Sequence, residues 1–318
     1  MIDGEPEFML ARENEMGWSD KDIPDLAGRV AVVTGASAGL GLPTTRMLTE
    51  HGTTVVMACR DPVKAAERAR GLDSDRVAVE HLDLADQASV AAFAGRIAER
   101  YGRLDLLINN AGVMGAPASR TRDGFETHFG VNHLGHFALT LRLLPLLTGT
   151  PGSRVVTVSS TGHKQGRIRL TDPQFAAGGY SVMRAYAQSK LANMLFALEL
   201  ARRLSAAGRD TLSLAAHPGL ASTDLGRKDA VGAWAVVVRA APYLLPHHSA
   251  DRGALPTLRA ATDPTVQNGE LYGPRWSAVG PPVRQQPAAH ARDPELAGQL
   301  WRLSLRLLPD LDPTPLPD

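Results

Sequence analysis

From Arg29 onward the chain alternates short β-branched runs with longer stretches in which apolar residues recur every three or four positions. The runs RVAVVTG (from Arg29), TTVVMAC (from Thr53), RVAVEHLD (from Arg76), LDLLINNAG (from Leu104), SRVVTVSS (from Ser153) and TLSLAAHPG (from Thr211) read as buried strands, with a short seventh near ELYGP (from Glu270). A strand covered on both faces is apolar almost without interruption, whereas a half-exposed one alternates. These runs are of the first kind. Helical patterns fall between them, near residues 40–51, 62–70, 86–100, 123–148, 184–207 and 250–262. In the fourth, Val131, Leu134, Phe137, Leu141 and Leu144 form the stripe of a helix packed on a core. The alternation predicts an α/β fold, a single doubly wound parallel sheet of about seven strands with helices on both faces.

Two segments interrupt the rhythm. One is TGHKQGRIRLTDPQFAAGGYSVM, before the helix that carries Tyr186. The other spans residues 220–248, includes the apolar AVGAWAVVVRAAPYLLP, and follows the sixth strand, where a long irregular segment reads as a substrate lid. The domain is placed at residues 21–285, followed by a C-terminal extension over 286–318 whose Pro-rich end reads as a tail.

The first strand runs into Thr34-Gly35-Ala36-Ser37-Ala38-Gly39-Leu40-Gly41. Glycines between a strand and a helix let the backbone turn tightly and approach a pyrophosphate, and the free amides of the helix then face the phosphates. Pro43 fits a helix start, because its missing N–H falls in the first turn. The spacing is Gly-x-x-x-Gly-x-Gly rather than the commoner Gly-x-Gly-x-x-Gly, so the placement between strand and helix carries the dinucleotide reading.

The second strand ends at Arg60-Asp61. An acidic side chain at this tip would bind the ribose hydroxyls of NAD, and an arginine would pair with the 2′-phosphate of NADP. Asp61 precedes Pro62 and reads as the N-cap of the next helix, which leaves Arg60 and favours NADP(H) over NAD(H). Lys64 adds charge there or is a solvated surface lysine. Asp83 caps either the adenine pocket or a helix.

The elements TGASAGLG, DLAD, NNAG (Asn109 to Gly112), VNHLGHF with Asn132, VTVSS, YAQSK and HPGLASTDL, in this order from about residue 27 to 275, resemble the short-chain dehydrogenase/reductase family. The lead DIPDLAGRVAVVTG and the late AATDPTVQNGELYGP are most similar to the retinol dehydrogenase and WW-domain oxidoreductase-like branch and its bacterial relatives. The resemblance implies a Rossmann-type sheet and a catalytic tetrad of Asn132, Ser160, Tyr186 and Lys190. It also implies cofactor contacts from Gly35, Ser37, Gly39, Leu40, Gly41, Arg60, Asp83, Leu84, Asn110, Ala111, Gly112, Tyr186, Lys190, Pro218, Gly219 and Thr223. Pro218-Gly219 with Ser222 and Thr223 matches the segment that meets the nicotinamide carboxamide; the two hydroxyl residues are alternatively ordinary loop residues.

The tyrosine would hand a proton to a carbonyl oxygen as hydride arrives, or take it from an alcohol in reverse. An unperturbed phenol, with a pKa of about 10, is a poor base near neutrality, and a lysine one helical turn away favours the phenolate. Ser160, with Ser159 as the alternative, would donate to the substrate oxygen, and in the family the asparagine holds a water that links the lysine to solvent; otherwise Asn132 is a satisfied core amide. Tyr180 reads as a pocket wall, and Gln188 and Ser189 carry no chemistry.

Composition narrows this reading. Lys+Arg at 34 against Asp+Glu at 33 gives a net charge of +1, so no global field draws the protein to nucleic acid or an anionic membrane. A single cysteine, Cys59, excludes an internal disulfide and a multi-cysteine metal site; with histidines in no ligand spacing, no metal is expected and the cytoplasm is the default compartment. No apolar run of roughly 18 residues and no signal-peptide pattern occur, so no membrane span is expected. Glu7-Phe8 matches a common cloning site, and residues 1–20 are read as a tag or disordered arm. The expected partner is a small carbonyl or alcohol substrate, bulky or lipophilic given the apolar lid and Met114 and Met183. In the family the helices bearing Asn132 and Tyr186 commonly pair subunits, although longer members include monomers, so the chain is a homodimer or a monomer. A C=C reductase on the same fold and a non-catalytic dinucleotide-binding regulator are the competing readings. The family's C=C reductases draw on a cysteine in the substrate region, whereas Cys59 lies at the cofactor edge.

Overall fold

In the computed structural model, which describes residues 17–221, 247–311 and 316, eight strands form one sheet. They are β1 (Val30–Thr34), β2 (Thr54–Cys59), β3 (Val77–His81), β4 (Leu106–Asn109), β5 (Arg154–Val158), β6 (Leu212–Ala216), β7 (Leu271–Pro274) and β8 (Pro282–Gln285). The order is β3-β2-β1-β4-β5-β6-β7-β8, parallel throughout except for the antiparallel pair β7 and β8. The eighth strand exceeds the expected number. Its sequence, PVRQ, is half-exposed and lacks an apolar run, because an edge strand in a hairpin needs to bury little. The other edge also departs from expectation: β3 is only partly buried, and His81 is exposed.

The helices are α1 (Gly41–Glu50), α2 (Pro62–Ala69), α3 (Gln87–Arg100), a rod α4, α5 (Val182–Ala206), α6 (Ala250–Thr262) and α7 (Pro294–Leu307). The rod α4 runs through Thr127–Phe129, a π-helical turn Gly130–Leu134, and Gly135–Thr148. Successive strand residues point to opposite faces, so Val30 and Val32 join a core with α3, α4, α5 and α7, whereas Ala31 and Val33 join one with α1, α2 and α6. This double covering produces the continuous apolar runs.

The C-terminal extension carries α7, which packs onto the domain. Asp293 caps α7 through the amides of Glu295 and Leu296, and Pro294 occupies the first helical position. Trp301 stacks on Phe196 and meets Phe137 edge-on, while Ser304 bonds to His133 Nε2 at 2.9 Å. At the other end, the arm boundary shifts. Trp18 packs on the second core and Ser19 forms a capping box with Asp22, so residues from Gly17 belong to the folded unit. No described helix is long and apolar enough to cross a membrane. Most of the expected lid lies outside the described residues; its two ends meet where His248 N–H donates to the Leu220 carbonyl at 2.7 Å.

Candidate active site

The glycine turn is built from backbone and space. Gly35 N–H donates to Ala58 O at 2.8 Å, and Gly35 adopts a positive φ of 66° against Ala111, where a Cβ would stand 3.0 Å from the Ala111 Cα. A Cβ on Gly41 would overlap the Gly35 carbonyl oxygen. Leu40 precedes α1 without a side-chain cap; Gly41 N–H donates to Ala38 O at 3.2 Å and Pro43 has no N–H, so Leu42 supplies the first-turn amide left for a ligand, and an anion suits it. The residues present therefore fit a bound pyrophosphate.

At the tip of β2, Asp61 caps α2 by accepting Lys64 N–H at 3.0 Å, as its position before proline implied. Arg60 is exposed beside it, with no hydrogen-bond or ion-pair partner among the described residues. Asp83 is not a helix cap. Its carboxylate accepts Ala85 N–H at 2.9 Å, and Asp86 caps α3. Leu84 is buried where Gly135 of α4 comes against its backbone. Cys59 is buried, and burial pushes its thiol up.

Thr34 ties this turn to the loop after β4. Its Oγ1 accepts the amides of Asn110 and Ala111, each at 2.9 Å, while Asn110 Nδ2 donates to Thr34 O at 2.8 Å. His136 sets the remaining directions. Its Nδ1 lies 3.0 Å from the Asn132 carbonyl, which can only accept, so Nδ1 carries the proton. Burial holds the ring down at about 4, and the neutral Nε2 accepts the Thr34 hydroxyl at 2.9 Å. Thr34 and His136 were not singled out in the sequence.

The four tetrad positions come together at the carboxyl edge of β4 and β5. Asn132 lies in the π-helical turn, an irregularity frequently found at functional sites. Its Oδ1 accepts Val113 N–H at 2.7 Å, and its Nδ2 donates to Val113 O and to Ser189 Oγ, which in turn donates to the Tyr186 carbonyl at 2.8 Å. A Cβ on Gly112 would stand 3.2 Å from Asn132 Oδ1 and 3.4 Å from Lys190 Nζ, so the bare glycine leaves a gap facing both. Lys190 Nζ donates to Val158 O at 3.2 Å and lies 5.8 Å from the Tyr186 ring centre. Ser159 donates inward to Lys190 O at 2.8 Å, whereas Ser160 stands beside the phenol.

Burial dominates the electrostatics of the Tyr186 and Lys190 pair. Burial pushes the phenol up, and the opposing influence is the hydrogen bond with Ser160. Burial also holds Lys190 down, at about 8. Dry surroundings penalise each charge.

Gln188 and Ser189, read from the sequence as carrying no chemistry, are both fully buried. Ser189 forms the bridge above. Gln188 staples the long segment before α5, accepting Arg169 N–H at 3.0 Å and donating to Pro173 O at 3.0 Å. Tyr180 commits its hydroxyl to Ala116 O at 2.8 Å, and burial, then Glu126, pushes it up to about 12. Met114 is half-buried and Met183 exposed. Pro218 and Gly219 follow β6 on the same edge; Ser222 and Thr223 lie outside the described residues. Among the described residues no His, Cys, Asp or Glu cluster could hold a metal ion.

A glycine turn at the head of a parallel sheet, with a buried Tyr-Lys pair beside a serine at the carboxyl edge, defines an oxidoreductase of the dinucleotide-binding class. The chain belongs to the short-chain dehydrogenase family, whose model matches residues 29–231. It is 37% identical to human (Homo sapiens) retinol dehydrogenase 13 over 97% of this chain and 94% of that protein. It is 42% identical to mouse (Mus musculus) polyprenol dehydrogenase over 90% and 85%. A crystal structure of an uncharacterized protein from Mycobacterium paratuberculosis superposes with a TM-score of 0.78 at 43% identity, covering 92% of this chain and 97% of that one. The family's fold uses a nicotinamide dinucleotide.

Proposed function

We propose that the chain is an NADP(H)-dependent oxidoreductase that interconverts a ketone or aldehyde and an alcohol on a bulky or lipophilic substrate. The observation that carries this reading is the convergence of Tyr186, Ser160 and Lys190 at the carboxyl edge of the sheet, beside the loop that Thr34 ties to the glycine turn. The nicotinamide, when bound, supplies or accepts the hydride.

Burial keeps Tyr186 a phenol in the free protein, which is the form that donates a proton during carbonyl reduction. Ser160 donates to the same oxygen and holds it in line. A positive charge brought beside the phenol favours its ionised form, and that form takes the proton in alcohol oxidation. Lys190, bordering the same gap as Asn132, holds a proton for resupply through a water there. Ser159 is spent on the α5 backbone, which supports Ser160 in the substrate-facing role.

NADP(H) is favoured because the carboxylate that would bind ribose hydroxyls is committed to capping α2, while Arg60 is free at the strand tip. Relatives named for retinol and polyprenol, both lipophilic alcohols, support an apolar substrate. A monomer is favoured because α7 covers α4 and α5 through Trp301, Phe137, Phe196, Ser304 and His133. The test is oxidation of NADPH and of NADH against aldehydes and ketones of graded size. Faster turnover with NADPH, rising with apolar size, is expected. Equal or better rates with NADH would overturn the Arg60 argument, and no turnover with any carbonyl would sink the oxidoreductase assignment.

A further inference from the structure

Two buried imidazoles beside the reaction centre are used by none of the steps above. His217, wholly buried at the end of β6, accepts Gly219 N–H on Nδ1 at 3.2 Å. An amide can only donate, so the neutral ring carries its proton on Nε2, which donates to Gln285 Oε1 at 2.8 Å. Gln285, the last residue of β8, donates its own amide to Pro274 O at 2.6 Å. The opposite strand is shaped for this ring: a Cβ on Gly273 would overlap His217 Nε2. Burial holds His217 down at about 4, so the arrangement persists at neutral pH.

His163 repeats the device with the opposite tautomer. Its Nδ1 donates to the Ser160 carbonyl at 2.7 Å, its Nε2 accepts Ala288 N–H at 3.4 Å, and His290 Nε2 reaches the His163 carbonyl at 3.1 Å. Both turns that flank the site, the one after Ser160 and the one through Pro218-Gly219, are thus bolted to a single stretch running from Gln285 to His290. That stretch lies beyond every dinucleotide motif in the sequence.

We propose that His217 and Gln285 are a positioning pair that sets the Pro218-Gly219 turn against the nicotinamide, so that the β7–β8 hairpin controls how firmly the reactive half of the cofactor is held. The proposal rests on the NADP(H) reading above and separates from it by experiment. Binding of NADPH and of adenosine 2′,5′-bisphosphate, which has the 2′-phosphate but no nicotinamide, is measured by calorimetry for the wild type, Gln285→Leu and Gly273→Ala. The first variant removes the acceptor from His217, and the second fills the space of its ring. Both are expected to weaken NADPH by about tenfold, the worth of one buried hydrogen bond, and to leave the bisphosphate unchanged. The same variants are expected to blur the choice between the two C4 hydrogens of stereospecifically deuterated NADPH. Wild-type affinity for NADPH in both variants, or equal loss of both ligands, overturns the proposal. A wild type that binds neither ligand overturns the cofactor reading and this proposal with it.

Discussion

The two ends of the dinucleotide site are built from different materials. At the glycine end, backbone shape and empty space do the work: Gly35 and Gly41 leave room, and the helix start carries no side-chain cap. At the reaction end, buried side chains from separate elements fix one another: Asn132 through Ser189 to Tyr186, Ser159 on Lys190, and His136 between Thr34 and Asn132. The first design is concentrated in a few consecutive residues, set against Ala58 and Ala111. The second also needs partners far apart in the chain, such as Ser159 and Lys190, 31 positions apart, or Thr34 and His136, 102 apart. The first should therefore fail through affinity and the second through turnover.

The sharpest test of that division is Tyr186→Phe, expected to lower kcat by about 10²–10⁴-fold, the usual worth of a general acid–base group. NADPH affinity should be nearly unchanged, and a variant that keeps wild-type turnover would end the catalytic assignment. The mirror experiment is Gly41→Ala. Its Cβ would collide with the Gly35 carbonyl, and overpacking of this kind costs about 1–3 kcal/mol, so NADPH affinity should fall about 5- to 150-fold by calorimetry.

Acid and alkali divide the molecule too. If reduction needs the Lys190 ammonium, kcat/KM should decline about tenfold per unit once pH rises past about 8, where burial has placed that group; a flat profile to pH 10 would remove the lysine from the proton path. On the acid side, burial holds His133 at about 3 and His136 and His217 at about 4. The unfolded chain takes up these protons near pH 6.5 and the folded one does not, so stability is complete above about 6.5 and falls as pH drops toward 4. A thermal midpoint that holds steady from pH 7 to 4.5 would contradict this. The smallest expected effect is Ser189→Ala, which leaves Asn132 Nδ2 short of one partner: a stability loss of about 1 kcal/mol and a several-fold fall in kcat, with KM for NADPH constant.

The same contrast explains what the sequence showed. Strands covered on both faces announced themselves as apolar runs, and the glycine turn was legible because its glycines sit within eight consecutive residues between a strand and a helix. Asp61 was legible as a cap because proline follows it. The bonds of Ser189 and Gln188 were not legible, because adjacency to a motif says nothing about which neighbour, Asn132 or Pro173, the fold brings to them. The burial of Tyr186 and Lys190 was hidden for a related reason: spacing shows proximity, but the low-dielectric surroundings that oppose both charges come from the packed core. Strand β8 had no apolar signature, whereas α7 did carry one, in Asp293-Pro294 followed by Leu296, Leu300 and Leu303, and grouping it with the Pro-rich end obscured it.

The stacking of α7 on the backs of α4 and α5 also bears on how the protein is made. The helices that bear Asn132 and Tyr186 leave the ribosome well before the one that covers them. Until residues 294–307 emerge, Phe137, Phe196 and Leu200 line an uncovered apolar surface on a nascent chain that already contains every catalytic motif. Synthesis halted before Pro294 would therefore release a chain with its chemistry encoded and its stickiest face bare, a substrate for chaperones rather than a smaller enzyme.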